Sequence, residues 1–147
     1  MSREHLVFII VCLATLASAA LDPPHKILEY VGQCSRKNNI TMQKLMELAG
    51  KHIIPTEENA KCFVECFMER MKMIEDDKIN PQRTQEILKK KMANKQKPEY
   101  IEKMLEITEI CSNEVTKPEE KCELGVAMMA CMMTHSEELG LAPMKLV

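Results

Sequence analysis

Lys61-Cys62-Phe63-Val64-Glu65-Cys66-Phe67-Met68 is the stretch whose reading decides the fold. Around it, Ala60, Phe63, Phe67, Met71 and Ile74 recur at the spacing of one helical face, while Lys61, Glu65, Glu69 and Lys72 fall on the other. The spacing predicts an amphipathic helix from Glu57 to Ile74. Cys62 and Cys66 stand four residues apart, so both thiols project from one side in nearly parallel directions, a poor geometry for bonding each other. Each must reach a different segment, which makes this helix the bar to which the rest of the chain is bolted.

Working outward, the first twenty residues read as an export signal. Arg3 and His5 precede an apolar run from Leu6 to Leu16, and the small residues Ala17-Ser18-Ala19-Ala20 follow, predicting cleavage after Ala19 or Ala20. The run is shorter than the roughly 20 apolar residues needed to span a bilayer, and no other stretch is long enough, so stable membrane insertion is not expected. Residues 21–147 then form a single helical domain. Of the seven cysteines, Cys12 leaves with the signal. Six remain in a secreted chain, which reads as three disulfides rather than metal ligands or redox thiols. The signal removes Arg3 and Glu4 together, so the net charge stays at −2. Neither that charge nor any interleaving of aromatic with basic residues suits nucleic acid.

The remaining punctuation predicts six short helices and an all-α fold. Asp22-Pro23-Pro24 opens the first, which runs through Cys34. Thr41 caps a second, Met42 to Ala49, stopped by Gly50. Ile54-Pro55-Thr56 breaks the chain and caps the central helix. Asn80-Pro81 opens a fourth ending near Met92, and Pro98 a fifth, with Tyr100, Ile101, Met104, Leu105, Thr108 and Cys111 on one face. Lys117-Pro118-Glu119 opens a sixth, whose run Leu124 to Met133 is apolar almost all round and therefore belongs in the middle of the molecule. No β-hairpin signal is evident. On one helix, Cys122 and Cys131 would point to opposite sides about 13 Å apart. Excluding that pair and Cys62 with Cys66 leaves ten of the fifteen possible pairings open.

The cysteine rhythm of Cys34, Cys62, Cys66, Cys111, Cys122 and Cys131 has gaps of 27, 3, 44, 10 and 8 residues. With the signal and the helical patterning, it resembles the six-cysteine insect odorant-binding proteins, which include pheromone-binding proteins. The three-residue and eight-residue gaps are its specific part, and the resemblance covers the whole mature chain. It implies the interlocked pairing Cys34–Cys66, Cys62–Cys122 and Cys111–Cys131. It also implies six helices around an internal apolar pocket that carries odorants, pheromones or similar hydrophobic molecules through extracellular fluid such as sensillum lymph. An olfactory receptor is the partner such a role suggests, with the carrier a monomer or weak homodimer. The chain departs from the pattern in lacking tryptophan and in its heavy use of methionine.

Methionine's unbranched thioether repacks around ligands of differing shape, so a methionine-lined cavity favours breadth. The inward stripes nominate Phe63, Phe67, Met71, Ile87, Met104, Thr108, Met128 and Met132 as ligand-binding, with Thr108 the polar contact for an alcohol, aldehyde or ester. The tail 140–147 follows a glycine hinge, and its Leu141, Met144, Leu146 and Val147 are candidates for a lid. His135, beside Ser136-Glu137-Glu138, is a candidate pH switch for that tail. Lys89-Lys90-Lys91 with Lys95 and Lys97 reads first as a solvated helix end favoured by the helix dipole.

Two rival functions are weighed against the carrier. Catalysis is not expected: His25, His52 and His135 make no His-Glu-x-x-His, and neither Gly-x-Ser-x-Gly nor a phosphate-cradling glycine loop is present. No cofactor or metal is expected either. A membrane-active protein of the saposin sort is also six-cysteine and helical, but its cysteines would cluster near both ends, whereas here the close pair lies mid-chain. A general lipid carrier outside olfaction is the remaining alternative.

Overall fold

The computed structural model describes residues 24–51 and 53–141. The predicted signal, His52 and the tail residues Met144, Leu146 and Val147 lie outside the described residues.

Among the described residues six helices follow one another: α1 (Pro24–Lys37), α2 (Met42–Lys51), α3 (Glu58–Arg70), α4 (Pro81–Met92), α5 (Pro98–Glu114) and α6 (Glu123–Glu138). Thr41 caps α2 by accepting from the Lys44 amide at 3.2 Å, and Asn80 caps α4 by accepting from the Arg83 amide at 3.1 Å. α2 runs through Gly50 to Lys51, because a glycine whose surroundings are open weakens a helix without stopping it. The central helix α3 is shorter than its apolar stripe suggested. Its N-cap is Glu57 rather than Thr56, and it ends at Arg70.

Beyond Arg70 the chain makes a small antiparallel hairpin, β1 (Ile74–Glu75) with β2 (Lys78–Ile79), pairing Ile74 with Ile79 and Glu75 with Lys78. Asp76 and Asp77 form its turn with φ of 51° and 59°, both left-handed, as a two-residue type I′ turn requires. Ile74 and Ile79 are buried, so the hairpin delivers two side chains to the core, of which Ile74 belongs by its spacing to the central helix.

Three helices end alike. After α1, Asn39 takes φ of 51°, its amide donates to the Arg36 carbonyl and the Ile40 amide to that of Ser35. After α3, Lys72 at φ 64° donates to Glu69 and Met73 to Met68. After α6, Gly140 at φ 64° donates to Glu137 and Leu141 to Ser136. Each is a Schellman stop, in which one left-handed residue satisfies the last carbonyls and turns the next apolar side chain inward. Ile40 is buried, while Met73 and Leu141 lie half-buried against the core. Gly140 thus takes the left-handed reversal that closes α6.

The sixth helix starts later than its proline suggested. Cys122 sits at φ 61°, a left-handed conformation that keeps it out of the helix, so Cys122 and Cys131 do not share one helix. From Glu123 onward α6 packs between α3 and α5, while α4 covers α5 and α1 lies on α3. The core gathers Met68, Ile74, Ile79, Leu88, Met92, Met104, Ile107, Leu124 and Met128. Only the first half of α6, from Leu124 to Met128, supplies buried residues, so the all-round apolar helix is central at one end and half-covered at the other.

The bridges are those the resemblance implies: Cys34–Cys66, Cys62–Cys122 and Cys111–Cys131, with Cα–Cα separations of 5.8, 4.8 and 5.8 Å. Cys62 lies inside the loop closed by Cys34–Cys66, and Cys122 inside that closed by Cys111–Cys131, so the three loops interlock.

Candidate functional site

The seam between α3 and α6 is closed by side chains of opposite kinds. Gly125 comes so near α3 that a Cβ there would meet Met68 Sδ at 3.1 Å and Val64 Cγ1 at 3.2 Å. Cys122 places no side-chain cap on α6. Instead Glu65, from α3, accepts from the Leu124 and Gly125 amides. Burial pushes its carboxyl above the ordinary carboxylate range, the charge of Glu69 adds to this, and the two amides oppose it. Lys61 pairs with Glu123 in the first turn of α6, and that hydrogen bond holds the lysine's pKa above its usual value. One face of α3 is thus committed to α6.

The other flank carries Phe63 and Phe67. Their rings stack at 6.2 Å between centroids, 10° from parallel, and both remain half-buried. The nominated binding residues divide accordingly. Met104, Thr108, Met128 and Met132 come from the facing stripes of α5 and α6. Met104 and Met128 are core members, Thr108 is fully buried and Met132 lies half-buried against the core. Met71 and Ile87 are buried outside the main core cluster. Leu141, the described part of the candidate lid, rests on the core beside these residues rather than in solvent.

Thr108 has its hydroxyl proton engaged. The oxygen donates to the Met104 carbonyl at 2.7 Å, leaving lone pairs but no donor for a guest. Thr84, Ser112 and Ser136 do the same, each to the carbonyl four residues back, at 2.8, 2.6 and 2.6 Å.

His135 stands between two carboxylates. From α6 its Nε2 lies 3.1 Å from Glu114 Oε2 on α5, and its Nδ1 lies 3.3 Å from Glu138 Oε2 one turn on. The Glu114 hydrogen bond is the chief cause of its raised pKa, with the charges of Glu114 and Glu138 behind it and partial desolvation opposing. A raised folded-state pKa means the ring's contribution is fully present below the unfolded value and fades as pH rises through the folded one. Acid therefore tightens the α5–α6 clasp.

A cleft of about 300 Å³ opens on the polar side, lined by Glu65, Glu69, Asp77, Lys117, Lys121 and Leu124. Lys117 and Asp77 pair across it at 2.7 Å. Charged side chains share its walls with Ile74, Pro118 and Leu124, and none of the nominated residues lines it. The residues missed from sequence were those of the seam. Gly125 in an apolar helical run was the available signal, since a glycine there marks a close approach.

The PBP/GOBP family model matches residues 22–135. The chain belongs to that family. General odorant-binding protein 19d of Drosophila melanogaster is 23% identical over 141 residues, 92% of this chain and 91% of the relative. Among solved structures, odorant-binding protein dmelOBP28a from Drosophila melanogaster is similar with a TM-score of 0.64 at 24% identity, covering 80% of this chain and 95% of that one. That second likeness is one of fold. It extends to a bundle of helices of the same arrangement, and no helix among the described residues of this PBP/GOBP member is long and apolar enough to cross a membrane.

Proposed function

We propose that the protein is a secreted carrier that takes small hydrophobic molecules, of the odorant or pheromone class, into its helical interior and moves them through extracellular fluid. The observation that carries this reading is the uneven covering of apolar side chains in a member of an odorant-binding family. The seam of α3 with α6 is closed, whereas stacked Phe63 and Phe67, Met132 and Leu141 stay half-buried. A guest seated against Phe63 and Phe67 would extend between α5 and α6 as Met71, Ile87, Met104, Met128 and Met132 repack, with Thr108 accepting a hydrogen bond from its polar end. Covering roughly 300 Å² of apolar ligand at about 25 cal/mol per Å² yields ~7 kcal/mol before ordering costs, which sets a micromolar scale. The family offers no catalytic expectation, and the residues nominated carry none.

Displacement of an apolar fluorescent probe from the oxidised mature protein tests the reading. Saturable micromolar binding, reversed by volatile competitors and weakened by Phe67→Ala, supports it. Absence of saturable binding, or leakage from liposomes in its place, would replace it with the membrane-active alternative.

A further inference from the structure

The Cys111–Cys131 bridge stands among groups that do not contact the guest in the proposed carrier reading. Cys111 and Glu114 are three residues apart on α5, and Cys131 and His135 four apart on α6, so each pair shares a helical face. The sulfurs of Cys111 and Cys131 and a ring nitrogen of His135 lie within 4.8 Å of one another. Glu114 Oε2 is 3.1 Å from His135 Nε2 and 3.6 Å from Cys131 Sγ. In a tetrahedral Zn²⁺ site, bond lengths of about 2.1 Å to nitrogen and oxygen and about 2.3 Å to sulfur place nitrogen and oxygen about 3.4 Å apart, and oxygen and sulfur about 3.6 Å apart. Two of the site's edges are therefore already near length. The outer shell is present as well: Glu138 accepts at 3.3 Å from Nδ1, the carboxylate partner that orients a zinc-bound imidazole.

We propose that opening this disulfide by a dithiol turns Cys111, Glu114, Cys131 and His135 into a Zn²⁺ site that relinks α5 to α6. Cys131 is the least buried of the six bridged cysteines, so its bridge is the one a thiolate reaches first. Attack there forms a mixed disulfide and expels Cys111 as thiolate. The reductant's second thiol then displaces Cys131 and closes its own disulfide, leaving both protein sulfurs reduced. Zn²⁺ binds them as thiolates and releases their two protons to solvent. The sulfurs, freed from each other, need only separate to about 3.8 Å. Thiolate and imidazole donors select zinc over magnesium or calcium.

The test uses mature oxidised protein treated with limiting dithiol, with alkylation and mass mapping to report which cysteines have opened, followed by Co²⁺ titration and Zn²⁺ displacement. The expected result is one Co²⁺ per opened chain, with the visible bands of a tetrahedral thiolate site, absent from the oxidised protein. Zn²⁺ should displace it, and Glu138→Gln should weaken affinity by about tenfold or more. His135→Ala and Glu114→Gln, which fold with the bridge intact and are reduced afterwards, should lose affinity further. Unchanged affinity in His135→Ala, equal binding by a Cys111→Ser/Cys131→Ser double variant, or an opened chain whose helicity falls and does not return with Zn²⁺ would each overturn the proposal.

Discussion

Two glycines in two helices summarise opposite halves of this molecule. Gly125 of α6 lies against α3 with Met68 and Val64 where a Cβ would stand, whereas Gly50 of α2 has nothing within 4 Å. Around the first are buried residues, a bridge at Cys62–Cys122, a Glu65 cap and the Lys61–Glu123 pair. Around the second, α2 buries no residue, and Met42 and Met46 stand 50% and 68% exposed, with Leu28 of α1 at 70%. In sequence α2 is amphipathic and α6 is apolar almost all round, yet the apolar stripe of α2 stays uncovered, so an apolar face alone does not decide what is covered. A close approach to the neighbouring helix does, and it is found at Gly125, whereas the Cys34–Cys66 staple on α1 leaves Leu28 uncovered.

The largest way to break that contrast is to unbolt the seam. Cys62→Ser with Cys122→Ser reopens a loop whose ends are 60 residues apart, and thermal or denaturant unfolding should show a loss of about 4 kcal/mol. Gly125→Val comes next, forcing Met68 and Val64 aside at a cost of about 2 kcal/mol in the same assay. Gly50→Ala is its mirror image: with open space around it, the substitution should stabilise by up to about 1 kcal/mol. A loss there instead would mean α2 is held more tightly than its exposure indicates. Lys72→Gly relieves a left-handed lysine at the α3 stop and should gain roughly 0.5 to 1 kcal/mol. The smallest effect concerns pH. His135→Gln should melt below the wild type in mild acid, where the charged ring holds Glu114, and the gap should narrow as pH rises past the ring's raised pKa. A gap that widens with rising pH would refute the clasp.

How far the sequence could be read follows from which forces are local. The helices and the four-residue spacing of Cys62 and Cys66 are local matters, and Asn80 before α4 with Pro81 at its first position marks its start unaided. The ends of α3 and α6 were not legible, because they turn on Lys72 and Cys122 at positive φ, residues whose side chains do not advertise that conformation. The hairpin escaped for the same reason: Asp76-Asp77 holds a turn that asparagine and glycine usually signal. Of the nominated residues, stripe position identified those that turn inward but not their neighbours. Phe63 and Phe67 meet each other, while Val64 and Met68 meet α6, a division set by where Gly125 permits approach.

The hydroxyls bonded back to their own helices carry a consequence for what the interior would prefer. With the protons of Thr84, Thr108, Ser112 and Ser136 already engaged, a guest's carbonyl gives up its water and receives no hydrogen from these groups in exchange. Selection would then follow girth and chain length. Along a homologous series each added methylene contributes about 0.8 kcal/mol, close to a fourfold gain in affinity, until the carbon chain outgrows its space. At equal length an alcohol, which can donate to a remaining lone pair, would outrank its acetate.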